Sequence, residues 1–493
     1  MYTSESFQDF FTDAEEIRLL MTKLLGNVDG KTVLEPCVGK GAFLESLVGW
    51  PNKIEAIDID GKHLEDLKIK NYPNVKIQQG DFISHFVDGS FLSDIEINSE
   101  YDALICNPPY GLKFSIEYRK KIKKLFPNLY ARESYGLFFY FGVNCLKESG
   151  HYVFIIPDTF LTSRNHKPLR EFIVKAAAPT DIIQFDSSRF ESVNFGYGGL
   201  CVIAGRKQPL NSNDTINWKD LRNNKSASLL NCESFSASIT GSDLIQSVED
   251  GWASPTVKHS IKLTSDMIKL GEIAECRTGI YTGDNSRFCA YDKECPPKRK
   301  NGHPIDWENE VYSGEVSDTQ KCNGISEGKY YVPFVRGGHR KPLEETRSAI
   351  DWSETAISFY KSNEKSRFQN SSFYFRTGLA IPMVTSGRIS ASLISDCVFD
   401  QGVVGVFPEN PDHINFLLIY LNSNIATELK KALNPGANNS ANYIKKLPVP
   451  RINESIIKNS KTIIADAVKN GWDATLPERE TLIKQSIGLS NLP

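Results

Sequence analysis

One short run in this sequence combines hydrogen-bond acceptors, a rigid backbone and an aromatic ring. The run Asn107-Pro108-Pro109-Tyr110 directly follows the apolar segment Ala103-Leu104-Ile105-Cys106. The Asn107 side-chain oxygen and the Pro108 carbonyl can both accept hydrogen bonds, and consecutive prolines leave carbonyls unpaired because proline lacks an N–H. Two acceptors aimed at the hydrogens of a conjugated amine draw its nitrogen toward tetrahedral geometry, while Tyr110 can stack on a flat base. The run therefore predicts a site that activates a planar amine as a nucleophile.

Polar residues also follow each of three strand-like segments upstream of this run. A loop with Gly39 and Gly41 follows the first segment, Asp58 ends the second, and Asp81-Phe82 follows the third. Asp58 can accept hydrogen bonds from ribose hydroxyls, and glycines allow close approach of the backbone to a ligand. Asp81 offers an acceptor for an adenine amine, with the Phe82 ring beside it. The order of these groups predicts a site for S-adenosylmethionine, whereas the loop lacks the third glycine of a nicotinamide dinucleotide site.

Helices and strands alternate from residue 11 to about 205. The pattern predicts an amphipathic helix from Asp13, strands that include Thr32-Val33-Leu34, and a helix after the glycine loop with Phe43 and Val48 facing inward. Strands separated by helices predict an α/β fold, with a Rossmann-like, doubly wound parallel sheet that binds ligands at the carboxyl ends of its strands.

The composition changes after this region. Residues 206–245 are polar, with runs such as Asn211–Asp214, and they predict a linker or small subdomain. From 246 to 493 the alternation is lost, which predicts a second, mixed α+β domain, with a helix from Ile414 to Leu421 that continues through Leu429. We therefore expect a catalytic domain over residues 1–205, followed by the linker and the second domain.

The composition narrows the class of protein. The net charge of -3 gives no overall attraction to nucleic acid, so any DNA surface must be local. The sequence has no apolar run of about 20 residues, which a membrane helix requires, and its N-terminus does not resemble a signal peptide. Ten cysteines occur without a CxxC pair, so we expect neither disulfides nor a metal site. These features predict a cytoplasmic protein.

Residues 11–205 resemble the catalytic domain of gamma-class adenine-N6 DNA methyltransferases from restriction-modification systems, and the motifs occur in the order of that family. The family's first motif usually has a proline after its Phe-Thr pair, where this chain has Asp13. The resemblance assigns to the cofactor site Phe11, Thr12, Glu35, Pro36, Cys37, Gly39, Gly41, Asp58, Asp81, Phe82 and Asn107. It also implies a second aromatic ring after the sixth strand that holds the flipped adenine against Tyr110. Phe190 fits that role, with Phe195 as the alternative.

Residues 246–493 resemble, more loosely, the target recognition domains of such enzymes. The matching elements are Gly271–Asn285, Pro333–Gly338, Phe399-Asp400, Leu421–Ser423 and Asn434–Pro450. Basic clusters near the tetrad and in this domain are candidate phosphate contacts, because cationic side chains supply most of the affinity for a DNA backbone. The candidates are Lys120, Lys121, Lys124, Arg336, Arg340 and Lys341.

Together these features predict a monomeric, site-specific DNA methyltransferase. It would transfer a methyl group from S-adenosylmethionine to the N6 amine of an adenine flipped from duplex DNA, as the modification enzyme beside a separately encoded restriction endonuclease. The tetrad alone leaves other planar amines open: cytosine N4, an RNA base or a protein glutamine amide. A DNA-specificity subunit without catalysis is the remaining alternative.

Overall fold

The computed structural model describes residues 15–70, 72–89, 95–97, 100–112, 114–189, 199–222, 224, 226–231, 236–249, 251–252, 254–255, 267–297, 301–338, 340–385, 388–433 and 439–488. The chain divides into two compact units, Met1–Ser260 and Ile261–Pro493. The boundary predicted after residue 245 lies earlier than this division. The difference arises because the following residues pack on the first unit: the Trp252 amide donates to the Leu161 carbonyl at 2.7 Å, and the Arg170 guanidinium donates to the Val248 carbonyl at 3.0 Å.

Nine strands of the described first unit form one sheet, in the order β3-β2-β1-β4-β5-β7-β6-β8-β9. The strands are β1 (Thr32–Glu35), β2 (Lys53–Asp58), β3 (Val75–Gln79), β4 (Tyr101–Cys106), β5 (Leu146–Pro157), β6 (Ala178–Asp186), β7 (Gly199–Arg206), β8 (Thr215–Asp220) and β9 (Ser236–Thr240). The first five pair in parallel with one another. Most of their buried side chains are apolar, as expected for strands covered on both faces, although Glu55 of β2 and Gln78 of β3 are also buried.

β7 differs from the predicted all-parallel arrangement. It lies between β5 and β6 and is antiparallel to both. A parallel neighbour requires a crossover of a dozen or more residues, usually through a helix. The connection from β6 to β7, residues 187–198, contains only the short 3-10 turn Ser187–Arg189 in its described part.

The described part of residues 206–245, predicted to be a linker or small subdomain, continues the sheet of the first unit. They contribute β8, which is parallel to β6, and β9, which is antiparallel to β8. The polar runs that suggested a linker are the turns around these strands, and the strands themselves bury Ile216 and Trp218 completely. The catalytic sheet is therefore larger than the predicted domain of residues 1–205.

Helices cover the sheet of the first unit. They are α1 (Glu15–Leu25), α2 (Gly61–Lys70), α3 (Phe82–Val87), α4 (Ile116–Leu125), α5 (Ser134–Asn144), α6 (Thr159–Thr162), α7 (Lys167–Ala176) and α8 (Gly241–Gln246). The apolar stripe predicted for α1 is buried. The helix predicted after the glycine loop is wrong: residues 39–46 form turns, and Val48 is 51% exposed. Gly39 and Gly41 take φ of 51° and 81°, which an α-helix does not accommodate.

The second unit is mixed α+β, as predicted. Its strands form sheets of order β11-β19-β16-β17 and β13-β12-β15-β14-β18, with β10 paired to β20. The strands are β10 (Met267–Lys269), β11 (Ala274–Thr278), β12 (Cys289–Asp292), β13 (His303–Ile305), β14 (Tyr331–Val335), β15 (Ser348–Asp351), β16 (Gly378–Pro382), β17 (Ser392–Ile394), β18 (Val398–Phe399), β19 (Val403–Pro408) and β20 (Pro448–Pro450). The helices are Asn285–Phe288, Trp307–Glu310, Asp318–Asn323, Glu354–Ser362, Ile414–Leu421, Asn424–Leu433, Ala441–Ile444, Glu454–Asn470 and Leu476–Ser486.

The long helix predicted from Ile414 through Leu429 is two helices. It is interrupted at Asn422, whose amide nitrogen donates to the Ala391 carbonyl at 2.9 Å and whose oxygen accepts from the Ala391 amide at 3.1 Å. Across the residues that the structure describes, no helix has both the length and the apolar character needed to span a membrane.

Candidate active site

Four adjacent parallel strands bring the predicted polar residues to one edge of the sheet. Glu35 ends β1, Asp58 ends β2, Asp81 follows β3 and Asn107 follows β4. Because the spatial order is β3-β2-β1-β4, the carboxyl ends of these strands are neighbours. This edge is where ligands bind in open α/β sheets.

Asp58 holds the glycine loop in place. Its two carboxylate oxygens accept from the Gly39 amide at 2.8 Å and from the Asp60 amide at 2.9 Å. Gly41 has φ of 81°, and a Cβ there would lie 2.5 Å from a methyl group of Leu67, so the loop requires glycine at this position. The sequence-predicted loop and the strand-end carboxylate thus form one structure.

Glu35 and Asp58 concentrate negative charge at this edge. Glu35 is 1% exposed, and its Oε1 atom has no hydrogen-bond partner in the described part of the chain. Burial raises the pKa of Glu35 well above its usual range, and the neighbouring Asp58 charge raises it further. The pKa of Asp58 is also raised by burial, although its two backbone hydrogen bonds oppose the shift. A buried acceptor without a partner is costly unless a ligand satisfies it.

These residues fit S-adenosylmethionine, which carries positive charge on its sulfonium and ammonium groups. Glu35 offers a buried oxygen to a cationic donor. The Asp58 carboxylate keeps unused lone pairs for ribose hydroxyls, because each of its oxygens accepts one of the two backbone bonds described above.

Cys37 and Pro36, also assigned to the cofactor loop, lie between these two carboxylates in sequence order. Pro36 is buried and Cys37 is partly buried. Burial raises the pKa of the Cys37 thiol well above its usual range, and Cys106 beside it adds to the shift. A nucleophilic thiol requires a lowered pKa, so the surroundings of Cys37 oppose that role.

Asp81 and Phe82 begin α3. Asp81 caps the helix by accepting from the amides of Ile83 at 2.9 Å and Ser84 at 3.2 Å. Phe82 is 2% exposed, and its ring stacks on Phe138 with centroids 5.4 Å apart. These contacts place both residues at the predicted edge, and their contact with cofactor stays a prediction.

The tetrad residues are tightly held. Asn107 is 8% exposed and Tyr110 is 3% exposed. The Tyr110 hydroxyl lies 2.7 Å from the Asn107 side-chain oxygen and 2.8 Å from the Ile155 carbonyl, so its single proton can be donated to either acceptor. The predicted stacking of the Tyr110 ring on a base stays a prediction, and in this structure the ring packs in the core.

The two proline carbonyls of the tetrad have different surroundings. The Pro109 carbonyl accepts a hydrogen bond from the Ser134 hydroxyl at 2.5 Å. The Pro108 carbonyl has no hydrogen-bond partner among the described residues. The acceptor that the chemistry needs at Pro108 is therefore available.

Four predicted residues, Phe11, Thr12, Phe190 and Phe195, lie outside the described residues. The residue before Phe190 is well anchored. Arg189 donates to the carbonyls of Asn224 at 3.0 Å and Ala227 at 2.7 Å, and it lies 3.4 Å from a carboxylate oxygen of Glu16 on α1. Arg189, the last described residue before both candidate rings, is thus held by three contacts.

The sequence analysis missed a buried polar network beyond β5. Asp158 accepts from the Gln184 amide at 3.1 Å and lies 3.3 Å from the Arg222 guanidinium, which also pairs with Asp220 at 2.6 Å. The Trp218 indole donates to the Gln184 oxygen at 2.9 Å. Burial raises the pKa of Asp158, although Arg222 opposes the shift. A polar residue at the end of an apolar strand is the signal that identifies Asp58, and the same signal could have identified Asp158, which directly follows β5. Its partner Arg222 is distant in sequence, so no local pattern connects the two.

The candidate phosphate contacts of the first unit lie on α4. Lys120, Lys121 and Lys124 are all exposed. Lys121 pairs with Asp88 at 2.6 Å, and Lys124 has no ion pair within the described chain. Lys124 and Lys120 are therefore better placed than Lys121 to contact an external anion.

The candidates of the second unit surround one turn. Arg336 donates to the Asn301 carbonyl at 2.9 Å, and Arg340 donates to the Glu344 carbonyl. Lys341 is exposed, and its backbone amide donates to the Glu344 carboxylate at 2.9 Å. The two arginines thus contribute part of their donors to the protein's own loops.

Comparison with known proteins supports the interpretation of the first unit. Residues 14–190 match the family described as Eco57I restriction-modification methylase. The type II methyltransferase M.AccI of Acinetobacter calcoaceticus is 25% identical over 301 residues, which are 58% of this chain and 53% of that protein. The adenine-specific methyltransferase PglX of Lacticaseibacillus casei (strain Zhang) is 23% identical over 240 residues, 45% of this chain and 18% of that one. The chain spans about half the length of the first of these relatives.

A solved structure shares the fold over both units. The type IIL restriction-modification enzyme MmeI, solved in complex with DNA, aligns with a TM-score of 0.52 and 13% identity, over 97% of this chain and 73% of that one. This likeness confirms the predicted fold class. The family match confirms the resemblance that the motifs indicate and agrees with S-adenosylmethionine as cofactor. The individual site residues stay predictions.

Proposed function

We propose that this chain is a site-specific DNA methyltransferase that transfers a methyl group from S-adenosylmethionine to the N6 amine of an adenine flipped out of duplex DNA. One observation carries the proposal: the Pro108 carbonyl, which has no hydrogen-bond partner in the described part of the chain, and the Asn107 oxygen lie at the same sheet edge as the Glu35 and Asp58 carboxyl groups. The edge thus offers acceptors for an amine beside a negatively charged pocket for a cationic methyl donor. The name of the relative PglX supports adenine as the base.

Each residue has a role that follows from its chemistry. The cofactor supplies a methyl group bonded to a positively charged sulfur. Glu35 and Asp58 bind and orient that cation, and the glycine loop shapes the pocket. The Asn107 oxygen and the Pro108 carbonyl accept the two hydrogens of the amine, which directs its lone pair at the methyl carbon. Tyr110, with Phe190 or Phe195, holds the base by stacking.

Target recognition falls to the second unit, which contains most of the predicted recognition domain of residues 246–493. Arg336, Arg340 and Lys341 are its proposed contacts to phosphate, as Lys120, Lys121 and Lys124 are in the first unit. We further propose that the chain acts as a monomer in the cytoplasm, where the genome is methylated, and that a separately encoded restriction endonuclease shares its recognition sequence.

The direct test is transfer of labelled methyl groups from S-adenosylmethionine to duplex DNA by the full chain. We expect label in N6-methyladenine, abolished by Asn107→Ala and retained by Asn144→Ala, an exposed asparagine on α5 that serves as the matched control. Label in N4-methylcytosine would identify cytosine, in place of adenine, as the target base. Label confined to protein or RNA, or none in any substrate, would contradict the proposal.

A further inference from the structure

The two prolines restrict most of the backbone torsions within the tetrad Asn107-Pro108-Pro109-Tyr110. Each proline ring locks its own φ near -65°, and a proline also restricts ψ of the residue before it. In Asn107-Pro108-Pro109-Tyr110, this restricts ψ of Asn107, φ and ψ of Pro108, and φ of Pro109. After φ of Asn107, the next backbone torsion of the run that the prolines leave unrestricted is ψ of Pro109, which sets the direction of the Pro109 carbonyl and the plane of the peptide that leads into Tyr110.

Ser134 restrains ψ of Pro109. Its hydroxyl donates to the Pro109 carbonyl at 2.5 Å. Ser134 is 0% exposed, so water does not reach its hydroxyl. Because the peptide is planar, fixing the Pro109 oxygen fixes the positions of the backbone nitrogen and the Cα atom of Tyr110, from which its side chain departs. The Tyr110 hydroxyl in turn lies 2.7 Å from the Asn107 oxygen, so the alignment extends back to the first residue of the run.

The same helix reaches the proposed cofactor side. Ser134 is the first residue of α5, and Phe138 lies one turn later on the same helical face. The Phe138 ring stacks on Phe82, the predicted cofactor contact, with an interplanar angle of 15°. α5 therefore connects the loop that presents the amine acceptors with the aromatic wall beside the methyl donor.

We infer that Ser134 is a positioning residue for methyl transfer: its hydrogen bond to the Pro109 carbonyl sets ψ of Pro109, which the prolines leave unrestricted, and keeps the acceptors aligned with the donor. The inference rests on the proposed function. Ser134 itself touches neither the base nor the cofactor in this scheme. Its removal is expected to slow the chemical step and to leave ligand binding intact.

The test compares Ser134→Ala with Tyr135→Phe in the full chain. Tyr135 is the next residue of α5 and equally buried, and its hydroxyl bonds to His166 at 2.8 Å and to Thr159 at 3.0 Å. Single-turnover methylation of duplex DNA should slow by roughly 10- to 100-fold in Ser134→Ala, the effect expected of a small misplacement of reacting groups. Calorimetric affinity for S-adenosylmethionine and affinity for DNA should match the wild type. Tyr135→Phe should stay within about threefold of the wild-type rate.

Ser134→Cys keeps a weaker donor of similar size and should fall between serine and alanine, which also covers the case in which the alanine variant does not fold. A rate for Ser134→Ala within about threefold of wild type, or an equal loss in Tyr135→Phe, would overturn the positioning role and leave the proposed function standing. A wild-type chain that methylates no DNA would overturn both.

Discussion

Asp58 in the first unit and Asp400 in the second are two partly buried aspartates in similar structural surroundings. Each lies at or just after a strand end and accepts hydrogen bonds from two backbone amides, Gly39 and Asp60 for the first, Gly337 and Gly402 for the second. Burial raises the pKa of both, and that of Asp400 reaches about 6. Both carboxylates thus hold a glycine turn in shape at an electrostatic cost.

Their neighbours differ. Asp58 lies near the buried Glu35 carboxyl group, and its charge raises the pKa of Glu35, while Asp60 raises and His63 lowers the pKa of Asp58 itself. Asp400 lies near the Arg336 guanidinium, which lowers its pKa against the effect of burial. Concentrated like charges mark a site that awaits a ligand of opposite charge, whereas a compensated charge is more typical of a structural role. This difference supports the proposal that Asp58 binds a ligand, and it favours loop support for Asp400.

The largest effect is expected where the first unit compensates its buried charge. Arg222→Met should remove the cation between Asp158 and Asp220 and destabilise the protein by about 3–5 kcal/mol, because a buried charge loses its partner. Thermal denaturation measures this. Arg206→Met, at the exposed end of β7, is the control and should have little effect. A wild-type melting temperature for Arg222→Met would mean that β8 and its turn are not an integral part of the first unit.

Glu35→Gln tests the pair of carboxyl groups formed by Glu35 and Asp58. Because burial raises the folded-state pKa of Glu35, its contribution to stability is present below the unfolded pKa and is lost as pH rises through the folded pKa. A glutamine at position 35 does not ionise, so the variant does not lose stability as pH rises. The ligand-free variant should therefore melt about 2–4 °C higher than the wild type near pH 8, with no gain near pH 4. Affinity for S-adenosylmethionine should fall by about tenfold or more, measured by calorimetry.

Glu45→Gln is the matched control for this experiment. Glu45 is exposed, and its hydrogen bond from Lys70 lowers its pKa, the opposite of the Glu35 shift. It should leave cofactor affinity unchanged. Weaker stability and unchanged affinity in Glu35→Gln would assign Glu35 a structural role and break the comparison.

A smaller effect is expected for Asp400→Asn. The asparagine oxygen can still accept from Gly337 and Gly402, while the buried charge is removed. Since the pKa of Asp400 is about 6 when folded, the stabilisation should appear above that pH, at about 1 kcal/mol, and vanish below pH 4. Denaturant melts across this range would show it, with the exposed Asp318→Asn as control. A loss of affinity for S-adenosylmethionine in Asp400→Asn would contradict its role as loop support.

The smallest effect separates two neighbouring lysines on α4. Lys124→Ala should reduce the slope of log affinity against log salt for DNA by about 0.9, the value for one lost phosphate contact. Lys121→Ala should change the slope less, because Lys121 pairs with Asp88 at 2.6 Å. Fluorescence anisotropy with labelled duplex at several salt concentrations measures both slopes. Equal slopes for the two variants would show that the ion pair with Asp88 does not keep Lys121 from contacting a DNA phosphate.

The strand-end residues of the first unit were predictable because each signal is local. An apolar run that stops at Glu35, Asp58 or Asn107 marks the carboxyl end of a strand, and parallel strands put those ends at one edge. The helix expected after the glycine loop is absent because the turns that contain the left-handed Gly39 and Gly41 continue through Ser46. The polar stretch at 206–245 misled because turn residues outnumber the short strands that they connect.

The sequence by itself determined the chemistry of the site, since residue types such as Asn-Pro-Pro-Tyr state which atoms accept hydrogen bonds and which torsions are locked. Only the tertiary structure decided how those atoms are constrained. The bond from Ser134 to Pro109, the closeness of Glu35 to Asp58, and the pairing of Arg222 with Asp158 all join residues that are separated along the chain. Such contacts depend on the order of strands in the sheet, and a pattern of residue types along one chain does not specify which distant side chains become neighbours.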